Sequence, residues 1–169
     1  MAYFADLGSC RYHVDAFDAD NWSVPLRAIG WLEYPNVFSR GAVEGWFVPK
    51  LKTMVEQVRS AYPHYGFRGV MFCSFCGAAG ATSPGPTWSQ ENIFVPGVGV
   101  VYVAPGGIVH YVEAHSYLPP TEFVEAVLRC PDLRSSEYRE ALCRANMGNE
   151  APLESHEAFS LRVSRFGKK

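Results

Sequence analysis

The 169-residue sequence predicts an α+β fold. Three observations predict it. Pro49 to Tyr62 carries Leu51, Met54, Val55, Val58 and Tyr62 at i, i+3, i+4, i+7 and i+11, one apolar helical stripe. Ile93 to Ala104 is rich in β-branched and aromatic residues and is split by Pro96-Gly97, so it reads as a β-hairpin. Two residue pairs frame that hairpin: Cys73-Ser74-Phe75-Cys76 before it, and His110 and His115 after it.

Two thiolates and two imidazoles, each pair at ligand spacing, are what a tetrahedral zinc ion takes. A cysteine knuckle, a hairpin and a helix bearing the last ligands, in that order, form a treble-clef-like arrangement. Cys73, Cys76, His110 and His115 are therefore the expected ligands of one structural Zn2+. Two thiolates balance the charge of a divalent cation, so partial burial costs little. Four protein ligands close the tetrahedron and leave no position for a substrate. Gly77 is expected to relax the backbone after the knuckle. One feature of the spacing resists. Residues five apart lie about 140° apart around an ideal helix. Both histidines can then reach one ion only if the helix loosens near His115, where Pro119-Pro120 favours an early end.

Other chemistries compete for the same residues. A lone Cys-x-x-Cys is often two buried small residues, or a redox pair, which usually opens a helix in a βαβ setting. Lone histidines on helices are usually core or surface residues. It is the combination of both pairs around a hairpin that favours a metal. His13, His64 and His156 are reserve ligands, and Cys10, Cys130 and Cys143, lacking ligand-spaced partners, read as buried thiols.

The remaining elements follow in order. Asp18-Ala19-Asp20-Asn21 lacks the glycine and downstream glutamate of a calcium loop and reads as a solvated turn. Leu26 to Leu32 reads as a short strand ended by Tyr34-Pro35-Asn36. Pro49 suits the first position of its helix and Pro63 stops it. Gly69 to Phe72 is a short apolar run into Cys73, and Gly77 to Trp88 reads as a loop with no phosphate-loop signature. After the hairpin, Pro105-Gly106-Gly107 starts a helix from Ile108 to about His115. A further helix has Thr121 as N-cap and Phe123, Val124, Val127 and Leu128 as its apolar face, ending at Cys130-Pro131. A last helix runs from Ser135 or Ser136 to Met147, with Tyr138, Leu142 and Ala145 facing in and Gly148 past its end. Residues 1–148 read as one globular domain and 149–169 as a polar, basic, loosely held tail.

The whole chain bounds function. A 48% hydrophobic content with 19% charge fits a globular protein rather than a disordered one. A net charge of -2 gives no electrostatic case for nucleic acid. No window reaches about 18 uninterrupted apolar residues, so no membrane span is expected. Met1 to Asp6 lacks the build of a signal peptide, and five cysteines is an odd number, so the expected compartment is the cytoplasm with reduced thiols.

The series Ala5-Asp6-Leu7, Gly30-Trp31-Leu32, Arg68-Gly69, Cys73-x-x-Cys76, Val95-Pro96-Gly97, Tyr102-Val103-Ala104-Pro105, His110-Tyr111, His115-x-Tyr117-x-Pro119-Pro120, Phe123, Ala126-Val127, Cys130-Pro131 and Tyr138 resembles a family of small uncharacterised bacterial proteins. The resemblance covers residues 3 to 147, and its most specific part is His-Tyr…His-x-Tyr-x-Pro-Pro. It implies a zinc-binding bacterial cytosolic protein and no activity. The expected function is a non-catalytic, zinc-stabilised interaction or accessory module, of the kind an immunity protein represents, whose partner is another protein. The alternative is a zinc-dependent hydrolase or deaminase with an open metal position, for which Glu113 is the local candidate base.

Overall fold

The computed structural model describes residues 3–10, 22–62, 67–78 and 87–151. The expected turn at Asp18 to Asn21, the reserve ligands His13, His64 and His156, residues 79–86 of the expected loop and the tail beyond 151 lie outside the described residues. The rest is an α+β fold.

Its centre is a three-stranded sheet in the order β1 (Leu26–Ala28), β5 (Val101–Pro105), β4 (Asn92–Pro96). β4 and β5 form the antiparallel hairpin, with Phe94 opposite Val103. β1 joins the other side of β5 in parallel, Ala28 opposite Val103. Asn92 to Val95 and all of β5 are buried, without the alternation of a one-sided sheet. Both faces are therefore covered.

β1 is shorter than the apolar run Leu26 to Leu32. Gly30, at φ +69, turns the chain out of the sheet, and a Cβ there would come within 2.9 Å of the Ile108 side chain. The hairpin turn is longer than Pro96-Gly97. Pro96 pairs with Val101, Gly97 N–H donates to the Val100 carbonyl at 2.9 Å, and Gly99 takes φ +64. Val98 to Val100 thus belong to the turn, not the strand.

Helix α1 (Phe47–Ala61) starts two residues before Pro49, which still sits in the first turn, where a missing N–H is free of cost. Phe47, Leu51, Met54 and Val58 are buried, as is Tyr62 just past the end. Gln57 is buried as well. Its amide donates to Asp132 and its carbonyl accepts the Leu133 N–H. β2 (Phe67–Phe72) pairs antiparallel with β3 (Thr87–Gln90), so Trp88 lies in a strand rather than in the expected loop.

Between these strands comes α2 (Ser74–Ala78), and after β5 come α3 (Ile108–His115), α4 (Thr121–Arg129) and α5 (Ser136–Ala145). Thr121 is the first residue of α4 and Pro120 its cap; no side chain caps it. The buried face of α4 is Phe123, Ala126 and Val127, while Leu128 is exposed, because it falls off the i, i+3, i+4 stripe. α5 begins as expected, with the Ser135 hydroxyl accepting the Tyr138 N–H. It stops at Ala145, two residues early. Asn146, fully buried, accepts the Ser23 N–H at 2.7 Å and donates to the carbonyls of Asn149 and Glu150.

Three buried tyrosines fix these layers, and each phenol donates to a partner on another segment. Tyr138 bonds Phe94 O at 2.7 Å, Tyr111 bonds Leu32 O at 3.1 Å, and Tyr117 bonds Asp6 Oδ1 at 2.8 Å. Asp6 Oδ1 also takes the Gly30 N–H. Tyr111 and Tyr117 thereby set the position of α3 and of the chain leaving it.

Candidate metal centre

α3 buries Ile108, Tyr111 and Val112. The start of α3 is set by β5, since Pro105-Gly106-Gly107 ends the strand and Gly106 N–H bonds Glu91 O at 2.8 Å. His110 and His115 stand beside that buried face, half-buried. The helix does not loosen near His115. It runs through that residue and ends there, with Ser116 in the left-handed region at φ 54 and Tyr117 N–H returning to Tyr111 O. Side chains lean towards the helix N-terminus, so the His115 ring leans back towards His110. The two ring centroids lie 5.0 Å apart.

α2 supplies the other pair. Cys73 precedes it and is buried; Cys76 lies inside it and is half-buried. Cys76 N–H points at Cys73 Sγ, 3.5 Å away, and Gly77 N–H bonds Cys73 O. Gly77 is part of this short helix and has no positive φ, so the relaxing role expected of it is not what the backbone uses.

The four side chains converge. Cys73 Sγ is 3.1 Å from His115 Nε2, and Cys76 Sγ is 3.4 Å from His115 Nε2 and 3.5 Å from His110 Nε2. One ligand atom from each residue lies within 4.8 Å of every other. Zinc with sulfur at about 2.3 Å and nitrogen at about 2.0–2.1 Å sets sulfur and nitrogen about 3.5 Å apart along a tetrahedral edge. The cluster has the size and donor set to hold such an ion.

Burial governs the electrostatics of the cluster. Burial, then the neighbouring His115, lowers the His110 pKa against a small opposing pull from Glu113. Burial and the Arg40 charge lower that of His115. Both shifts favour the neutral imidazole, the form that ligates a metal. Burial pushes the Cys73 thiol up, opposed by the Cys76 N–H. A bound cation would reverse that preference, because metal ligation requires the thiolate.

The domain of unknown function DUF7919 has a family model that matches residues 2–128. The chain belongs to this family. The DUF7919 match takes in all four clustered residues. No curated protein and no solved structure matches the chain.

Around the cluster stand residues that ligand spacing does not reveal. Phe75, between the cysteines, packs its ring on Phe38, His115, Tyr34 and Tyr111 at centroid distances of 5.2, 5.6, 6.2 and 6.2 Å. Arg40 stacks over Phe38 at 4.8 Å. Phe75 could have been found from its place inside the knuckle; nothing local in sequence points to Phe38 or Arg40. Glu113 is exposed, and its Oε1 bonds Lys52 Nζ at 2.7 Å. Of the other cysteines, Cys10 and Cys130 are buried, and burial raises the Cys130 thiol to about 12. Cys143 is only half-buried, contrary to expectation, and its thiol reaches Gly148 O at 3.2 Å. It lies on the outer side of α5, one position past the buried Leu142.

Proposed function

We propose that this DUF7919 chain is a non-catalytic protein stabilised by one zinc ion on Cys73, Cys76, His110 and His115, in a treble-clef-like order of knuckle, hairpin and helix. The observation that carries this reading is the mutual approach of two sulfurs and two imidazole nitrogens within 4.8 Å. Soft sulfur with imidazole in a tetrahedral set favours zinc over hard cations. Four protein ligands are the composition of a structural site. A hydrolase or deaminase would need a metal-bound water and a base beside it. Glu113, the local candidate for that base, is instead engaged with Lys52.

The module is proposed to serve another protein as an interaction or accessory partner in the bacterial cytoplasm, as an immunity protein does. That none of the five cysteines is in a disulfide agrees with a reducing compartment, and no helix among the described residues is long and apolar enough to cross a membrane. The test is metal analysis of the purified chain followed by affinity capture from the native host. One zinc per chain and a partner retained by the soluble, zinc-loaded wild type supports the reading. Metal-free protein, or turnover of an amide or amidine substrate that needs the metal, contradicts it.

A further inference from the structure

We infer that the metal centre latches the surface strap of residues 33–41, which is released when the metal leaves; this rests on the metal reading above. The strap contains no helix or strand, only a bridge from Arg40 to Tyr117. Its contacts converge on the ligand-bearing segments. Tyr34 N–H donates to Ser74 Oγ at 3.0 Å, and the rings of Tyr34 and Phe38 pack against Phe75. Ser74 and Phe75 are the two residues between the cysteines. At the other end, Gly41 N–H donates to Ser116 O at 3.0 Å, Leu118 N–H donates to Ser39 O at 2.9 Å, and Phe38 packs on Tyr117. Those partners directly follow His115.

The platform under the strap is therefore made of α2 and the end of α3. α2 has only five residues, far too few to persist by helix propensity alone. Joining Cys73 and Cys76 to His110 and His115 through one ion would fix α2 against α3 and so fix the platform. Without the ion, Phe75 loses its fixed place against His115, and the strap loses its Phe75 contacts and the Ser74 acceptor together. Neighbouring segments have other anchors. Ile29 N–H bonds Val103 O in the sheet, and Ala28 N–H bonds Gly8 O. The strap carries two exposed apolar side chains, Tyr34 at 58% and Val37 at 92%, so the surface it presents follows metal occupancy.

Amide hydrogen exchange on the full chain, zinc-loaded and after chelation, tests this, with zinc content measured on the same samples. On zinc removal the Tyr34, Gly41 and Leu118 amides are expected to speed up at least about tenfold more than Ala28 and Ile29, as a local opening on top of the lowered global stability. Phe75→Leu should speed Tyr34 exchange with zinc still at one per chain. Strap amides that do not change on zinc removal overturn the latch, as do strap and sheet amides that speed up by the same factor. Zinc absent from the purified chain overturns the metal reading itself, and the metal content tells that outcome apart from the others.

Discussion

At the scale of single residues, the cluster assigns unequal roles. Cys73 is buried and makes the shortest of the sulfur–imidazole contacts, 3.1 Å to His115, whereas the half-buried Cys76 lies 3.4 Å from His115 and 3.5 Å from His110. Cys73→Ser and His115→Ala are expected to lose zinc and solubility, read by metal content of the soluble fraction. Full zinc retention in His115→Ala would remove it from the ligand set while leaving the cysteine pair standing. Glu113→Gln gives up an exposed ion pair with Lys52, an interaction worth under about 1 kcal/mol. Its melting temperature and zinc content should match wild type; loss of zinc would place its carboxylate in the metal chemistry. Tyr117→Phe removes a buried phenol from Asp6 Oδ1. Because Asp6 keeps the Gly30 N–H, the cost expected by denaturant unfolding is about 1–3 kcal/mol, and no measurable cost would show that this bond does not hold α3.

At the scale of elements, the chain was legible wherever one period dominated. The stripe from Leu51 to Tyr62, the hairpin and the start of α5 at Ser135 or Ser136 could all be read because local pattern and tertiary burial agree there. Legibility failed where a backbone state or a distant partner decides. Nothing in Leu26 to Leu32 says that Gly30 turns away under Ile108, and nothing in Thr87 to Gln90 says that it pairs with β2. Gly30→Ala tests that turn, since it combines a positive φ with a Cβ 2.9 Å from Ile108. A loss of about 1–3 kcal/mol is expected; an unchanged denaturation midpoint would contradict the turn. α3 also sets the pH response of the metal-free chain. His110 and His115 are depressed below the ordinary 6.5, so the unfolded chain takes up protons first as pH falls. Their contribution is present above about 6.5 and is lost as pH drops through the depressed values. Cys73, raised above 9.0, contributes below that pH and loses its contribution as pH rises through the raised value. Metal-free stability should therefore be greatest between these limits; a midpoint that improves on acidification below pH 6 would refute the assignment.

At the scale of the whole molecule, the grouping of the four candidate ligands was more legible than the fold around it. Ligand chemistry is encoded in residue type and short spacing, so the two pairs could be read directly. Their meeting depends on β5 delivering α3 to the knuckle, and on Tyr111 and Tyr117 bonding to Leu32 and Asp6, contacts of long sequence separation that no local pattern carries. The helix needs no loosening before His115, because side chains lean towards the helix N-terminus, and it ends at that residue. Since binding to the native state alone is stabilising, chelation should lower the melting temperature strongly. The most direct test of the central claim is X-ray absorption at the zinc edge on the purified chain, with metal content alongside. The account predicts about one zinc per chain with two sulfurs at about 2.3 Å and two nitrogens at about 2.0–2.1 Å. A chain purified without metal, or a first shell containing a water oxygen or only one sulfur, would contradict it.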